Sequence, residues 1–235
     1  MSHVKNVAAF EEFVGYCSGY GGSYNPGLPN LKVSALQELA VKARKALDEV
    51  TVAKSALNNA TNSREIAFAD VPRLASSILF TMASLGASEQ ALKDARVFLR
   101  LLTSRTRTRQ PVPSEQAVAI RKENHGQRGF ASMVYHLERL VQTASDEPVY
   151  KPNEPGLTPE GLRNTTAALA KLNAEVSAAK VAWNNARVAL HSIYYGEQSL
   201  LETGRNGKKY LRAIYGLNSN EYAQVRKIKF TKVKM

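Results

Sequence analysis

The apolar positions of this chain keep helical spacing almost throughout. Thr165, Leu169, Leu172, Val176, Ala179, Trp183, Ala186, Leu190 and Ile193 follow one another in alternating steps of four and three. Such steps lay a single stripe along one helix face over about four heptads. Leu39, Ala43, Ala46, Val50, Ala53, Leu57 and Ala60 keep the same rhythm earlier in the chain. Both stripes are rich in alanine, which favours helix by itself. Small residues also let helices approach to the short end of the usual spacing of roughly 8–10 Å. No segment shows strand alternation bounded by hairpin turns.

Punctuating residues predict where the helices begin and end. Thr158 reads as an N-cap with Pro159 in the first helical position. Val71 to Leu85 reads as a helix that starts at Asp70, carries Pro72 in its opening turn and stops at Gly86. Shorter helices are expected at Val7–Tyr16, Ser88–Leu101, Phe130–Ala144 and Asn220–Lys229. Gln198–Tyr215 also reads as helix, but Gly204-Arg205-Asn206-Gly207 predicts a break or kink inside it. Thr103 to Arg128, with Pro111, Pro113 and Gly126, reads as a loose basic connector, partly disordered.

The chain matches itself at an offset of 126 residues. Ala56-Leu57-Asn58-Asn59-Ala60 returns as Ala182-Trp183-Asn184-Asn185-Ala186, and Tyr24, Pro26, Leu31, Leu36 and Val50 return as Tyr150, Pro152, Leu157, Leu162 and Val176. Leu85-Gly86 aligns with Tyr215-Gly216 after a short insertion. Each copy opens on a Gly-, Pro- and Asn-rich turn and runs into a long helix followed by shorter ones. The expected fold is therefore all-α: an internally duplicated antiparallel helical bundle with pseudo-two-fold symmetry. Residues 1–102 form the first repeat, 103–128 the connector, and 129–235 a linking helix with the second repeat. The two repeats are expected to pack as one bundle.

Tyr24-Asn25-Pro26, Asn58-Asn59-Ala60, Asn184-Asn185-Ala186-Arg187 and Lys227-Ile228-Lys229-Phe230 carry a resemblance. The layout is similar to a family of bacterial proteins of the Bacteroidetes type, whose halves open on a Tyr-Asn-Pro-like turn. They continue into an alanine-rich helix and end in a basic-aromatic tail. The resemblance spans nearly the whole chain and implies a duplicated helical bundle. It brings no activity with it.

Charge changes this picture by its distribution. The net charge is +12 over 235 residues. Residues 100–128 hold seven Lys or Arg against two Glu, and residues 205–235 hold nine against one, so the rest of the chain is near neutral. A basic excess of this kind suits nucleic acid or another acidic partner. Cys17 is the single cysteine, which excludes an internal disulfide and fits a reducing compartment. No signal peptide and no run of roughly 18 apolar residues is read, so a cytoplasmic protein is expected.

Catalytic chemistry finds little support. His3, His125, His136 and His191 stand too far apart in sequence for a helical metal pair. Glu11, Glu12, Glu38, Asp48, Glu49, Glu65, Asp70, Glu175 and Glu197 do not form the paired motifs of di-iron bundles. Gly19–Ser23 lacks the Gly-Lys-Ser/Thr ending of a phosphate loop and reads as a turn. Cys17 has no base beside it in sequence and reads as a buried, inert thiol. No cofactor and no metal is expected, and no enzyme.

Two patterns carry binding readings. Arg105, Arg107 and Arg109 alternate with hydroxyls in the connector, and Lys227, Lys229 and Lys232 alternate with apolar residues in the tail. Both could neutralise phosphates of a nucleic acid or other polyanion. Asn58, Asn59, Asn184 and Asn185 are poor mid-helix residues at matching points of the two copies. They predict a buried polar layer that fixes helix register, or a small-ligand pocket to which Arg64 and Arg187 contribute. The leading functional expectation is a non-enzymatic scaffold that binds a protein partner or self-associates. Polyanion binding and small-ligand binding are the alternatives.

Overall fold

A computed structural model describes residues 3–103, 129–195 and 198–231. The described residues are all-α, with no strand. In chain order the helices are α1 (His3–Gly19), α2 (Val33–Ala69), α3 (Val71–Ser84), α4 (Glu89–Thr103), α5 (Phe130–Ser145), α6 (Pro159–Tyr194), α7 (Leu200–Tyr215) and α8 (Asn220–Arg226). Two single 3-10 turns, Gly21–Ser23 and Pro29–Leu31, lie between α1 and α2.

The ends are set by local chemistry. Thr158 Oγ1 accepts from Gly161 N at 3.1 Å and opens α6. Ser199 accepts from Glu202 N at the start of α7, while Glu202 reaches back to Gln198 N at 3.0 Å. That reciprocal arrangement is close to a capping box. Ser219 accepts from Tyr222 N to open α8. Gly86 and Gly216 follow α3 and α7 with φ of +79° and +87°, a conformation that favours glycine.

Every position of the two sequence stripes is buried or half-buried. The chain nevertheless divides elsewhere than at the repeat boundary. One compact unit takes Met1–Leu57 with Ala179–Met235, and the other takes Asn58–Ala178. The long helices α2 and α6 each give one part to each unit.

The first unit has a core of Val7, Phe10, Phe13, Val14 and Cys17 from α1, joined by Leu36 and Ala43 of α2, Leu190 and Tyr194 of α6, Leu200 and Leu211 of α7, and Val225. Gly204 and Gly207 do not break α7, which runs unbroken through them. They instead form a notch. A Cβ at Gly207 would lie 2.5 Å from the Phe13 ring, and one at Gly204 would lie 2.7 Å from the Phe230 ring. The glycines are there because two aromatic rings occupy the space.

In the second unit α3, α4 and α5 pack on one another around Ile78, Met82, Ala95, Leu137 and Leu140, with Leu162 and Leu169 of α6 completing the core. Phe68 and Phe130 meet edge to face at 4.8 Å. Ser88 Oγ donates to Glu147 at 2.6 Å, fixing the start of α4.

One recurring detail ties the turns to the long helices. Tyr24 donates its hydroxyl to the Leu31 carbonyl at 2.8 Å, and Tyr150 donates to the Leu157 carbonyl at 2.9 Å. One helical segment passes a membrane-span test by length and composition alone. An 18-residue window within Val33–Ser84 reaches a mean hydropathy of 1.3, enough to cross a membrane by length and composition, with 33% of it buried. Much of that apolarity is the α3 face of Val71, Ala75, Ile78, Leu79 and Met82, which lies in the second core.

Candidate functional site

Residues 200–231 build the most cationic described surface. On α7, Leu200, Leu201, Gly204, Gly207 and Leu211 face inward. Arg205, Lys209 and Arg212 fall at i, i+4 and i+7 on the outer side, and all three are exposed. The chain leaves α8 at Arg226, three residues before the expected end at Lys229, and continues without regular structure. There the predicted alternation becomes physical: Ile228 and Phe230 are 6% and 8% exposed, while Lys227 and Lys229 are exposed.

Three side chains strap this tail down. Lys208 Nζ donates to the Arg226 carbonyl at 3.0 Å and the Ile228 carbonyl at 2.7 Å. Arg205 Nη2 donates to the Phe230 carbonyl at 3.2 Å. Asn6 Nδ2 donates to the Thr231 carbonyl at 2.7 Å, and Thr231 N donates back to Asn6 Oδ1 at 3.2 Å. Burial pulls the Lys208 ammonium below its ordinary value, yet it caps the last carbonyl of α8, at Arg226, and the Ile228 carbonyl of the tail beyond it. The strap holds Lys227 and Lys229 alongside the Arg205–Arg212 stripe. The ion pairs seen among the described residues are Arg44–Glu11, Lys93–Glu89 and Lys171–Glu175. None involves these cations.

A second basic cluster lies on α6 in the same unit. Trp183, Arg187, His191 and Tyr195 follow at steps of four and are all half-buried. The Arg187 guanidinium sits 4.9 Å from the Trp183 ring centre, and Lys54 Nζ of α2 sits 4.6 Å from it. His191 packs on Tyr195 at 4.4 Å, and His3 packs edge-on to Tyr194 at 4.7 Å. Tyr194 donates its hydroxyl to the His3 carbonyl at 2.7 Å. Burial, then His191 and Arg187, hold the His3 imidazole below its ordinary value.

The sequence-derived sites meet different fates. Arg105, Arg107, Arg109 and Lys232 lie outside the described residues, as does His125. Asn58, Asn59, Asn184 and Asn185 are all exposed, so they form neither a buried register layer nor a closed pocket. The stripe itself explains this. Leu57 and Ala60 turn inward, as do Trp183 and Ala186, which turns the two positions between them outward. Arg64 lies 4.0 Å from the Phe130 ring centre and Arg187 stacks near Trp183. Both arginines serve cation–π contacts instead of a shared pocket.

Sequence reasoning missed the α6 cluster, although its steps of four were visible. His3 and Lys54 come from far along the chain, and nothing local announces them. It also missed a groove of about 760 Å³ between α1 and α2, lined by Val14, Ala40, Val41, Val52 and Ala53 with the Glu11–Arg44 pair on its wall. Among the described residues no group of three or more His, Cys, Asp or Glu is placed to hold a metal ion. Burial pushes the Cys17 thiol up to about 12, so it stays protonated at neutral pH and is a poor nucleophile. No family model, no curated protein and no solved structure matches the chain, so its own surfaces carry the functional reading.

Proposed function

We propose that this chain is a non-enzymatic binding protein that holds a nucleic acid against the cationic face of α7 and the strapped tail. One observation carries the reading: Arg205, Lys209, Arg212, Lys227 and Lys229 are exposed in one neighbourhood, outside every ion pair seen among the described residues. Cations left in that state are ready to displace counterions from phosphates. Binding of a labelled single-stranded oligonucleotide, followed by anisotropy over a salt series, tests it. Each phosphate neutralised on a single strand contributes about −0.7 to the log–log salt slope. Replacing Lys227 and Lys229 by Gln should flatten the slope by about 1.4, while Lys93→Gln with Lys171→Gln should leave it unchanged. An affinity indifferent to salt or to the first pair of changes would overturn the proposal.

The scaffold reading has its own support. Val41 and Val52 are 68% and 69% exposed beside the α1–α2 groove, an apolar face of the kind protein partners cover. If it is right, Val41→Asp with Val52→Asp dissociates a complex or oligomer that sedimentation detects in the parent chain.

We also infer that the chain arose by internal duplication, with the copies in a pseudo-two-fold relation. The Tyr–Leu clasp repeated at an offset of 126 supports it. So do Leu36 and Leu162, both fully buried at that offset. The buried face of α1, Val7, Phe10, Phe13, Val14 and Cys17, also returns on α5 as Val134, Leu137, Leu140, Val141 and Ala144.

A further inference from the structure

We propose that the outer face of α2 is an interface between two copies of this chain, paired antiparallel about a two-fold axis that crosses the helix between Ala46 and Leu47. Such pairing rests on the scaffold reading, in which a protein partner covers the α1–α2 face, and it names that partner. It does not depend on nucleic-acid binding at the α7–tail surface. Glu38, Val41, Lys45, Asp48, Val52 and Ser55 follow one another on α2 in alternating steps of three and four. Such steps lay a stripe along one side of a helix. All six residues are exposed, while Ala43, Ala46 and Leu47 turn the opposite side of α2 into the first core. The exposed stripe runs along the groove beside α1, where Val14 and the Glu11–Arg44 pair form a wall.

The order of residues on this stripe identifies the occupant. Reversed end to end, the stripe is its own complement. Val41 of one copy falls on Val52 of the second copy, Lys45 on Asp48, and Glu38 on Ser55. The two-fold axis supplies each of these layers twice, as an isologous interface requires. Antiparallel helices also bring like flanks together, so Lys42 meets Glu49 of the second copy along one edge of the seam. Lys42 and Glu49 are exposed, and neither they nor Lys45 and Asp48 take part in the ion pairs seen among the described residues. Other alignments lose the match. Parallel pairing sets Lys45 on Lys45 and Asp48 on Asp48, and like charges so placed repel. A slip of one heptad sets Glu38 on Asp48 in one direction and Asp48 on Val52 in the other. The charged layers thus fix orientation and register, while the valine layers supply apolar burial.

Sedimentation equilibrium of the full chain over a concentration series tests the pairing. A single helix pair is a small interface, so a reversible dimer of micromolar to millimolar affinity is expected. Lys45→Asp and Asp48→Lys each place like charges in both central layers, and each should weaken self-association by at least about tenfold. Mixed in equal amounts, the two variants should form a mixed dimer, because each chain then presents the charge that the other needs. The double variant Lys45→Asp with Asp48→Lys should pair with itself as the parent does. Both positions are exposed, so circular dichroism of every variant should match the parent. A parent chain that stays monomeric at every concentration overturns the proposal and leaves the α1–α2 face to a different protein. A dimer that ignores both single changes, or that mixing does not restore, overturns it as well. Val41→Asp with Val52→Asp then shows whether that dimer uses the face at all, so failure of the register and failure of the scaffold reading are told apart.

Discussion

At Gly207 an added methyl would lie 2.5 Å from the Phe13 ring, and at Gly204 it would lie 2.7 Å from the Phe230 ring. Alanine in a helix interior is normally better than glycine by about 1 kcal/mol. Here that gain is opposed by overpacking, which costs about 1–3 kcal/mol. The two sites should part company because their neighbours differ in freedom. Phe13 is fully buried in the middle of α1 and cannot step aside without disturbing Phe10 and Val14. Phe230 also packs on the Phe10 and Phe13 rings, at 6.2 and 6.1 Å, but it sits on an irregular tail rather than inside a helix, so it gives way at lower cost. Gly207→Ala should therefore lower the melting temperature by several degrees, at about 2–4 °C for each kcal/mol in a chain of this size. Gly204→Ala should cost less stability but free the tail, so that trypsin cuts after Lys229 faster than in the parent. Equal melting temperatures for Gly207→Ala and the parent would show that the notch is not tight.

The Tyr24 and Tyr150 clasps belong to the scale of elements, because each fixes the turn from which a long helix departs. Burial raises both hydroxyls, Tyr150 to about 12, so each remains a donor through the ordinary pH range. Tyr24→Phe and Tyr150→Phe each leave a carbonyl without its partner, which costs about 1–2 kcal/mol. The clasps share no residue, so the double variant should lose the sum; chemical denaturation of the three variants measures this. The elements themselves were largely legible in the sequence. Four-three spacing marked α2 and α6, Thr158-Pro159 marked the start of α6, and Gly86 and Gly216 marked two ends. What misled was the reading of single residues out of their face. Gly204 and Gly207 look like a helix break until Phe13 and Phe230 are placed against them, and both rings come from remote parts of the chain. The four Asn residues drew attention by poor propensity, while the stripe beside them already assigned them to solvent. The alternation of the tail showed which side would bury but not that Lys208, Arg205 and Asn6 would hold it.

The division of the whole molecule follows from where the core residues come from. Val7 to Leu47 supply one part of the first core, and Leu190, Tyr194, Leu200, Leu201, Leu211, Val225, Ile228 and Phe230 supply the other. Phe68 to Leu102 and Val134 to Leu169 divide the second core in the same way. A cut between the sequence repeats therefore splits both cores at once. A large apolar side chain loses roughly 1.5–3 kcal/mol when its burial is lost. Eight such losses in one core come to roughly 12–24 kcal/mol, as large as or larger than the roughly 5–15 kcal/mol that typically holds a folded protein. Produced separately, residues 1–102 and 129–235 should each show weak helicity and no cooperative transition. Mixed in equal amounts, they should associate one to one and recover the helicity of the intact chain, because each carries the missing part of both cores. Far-ultraviolet circular dichroism follows the recovery, and light scattering with size exclusion gives the stoichiometry. A cooperative melt from either fragment alone would mean that a repeat can close its own core, and that the exchange of residues between the two cores is not what stabilises the fold.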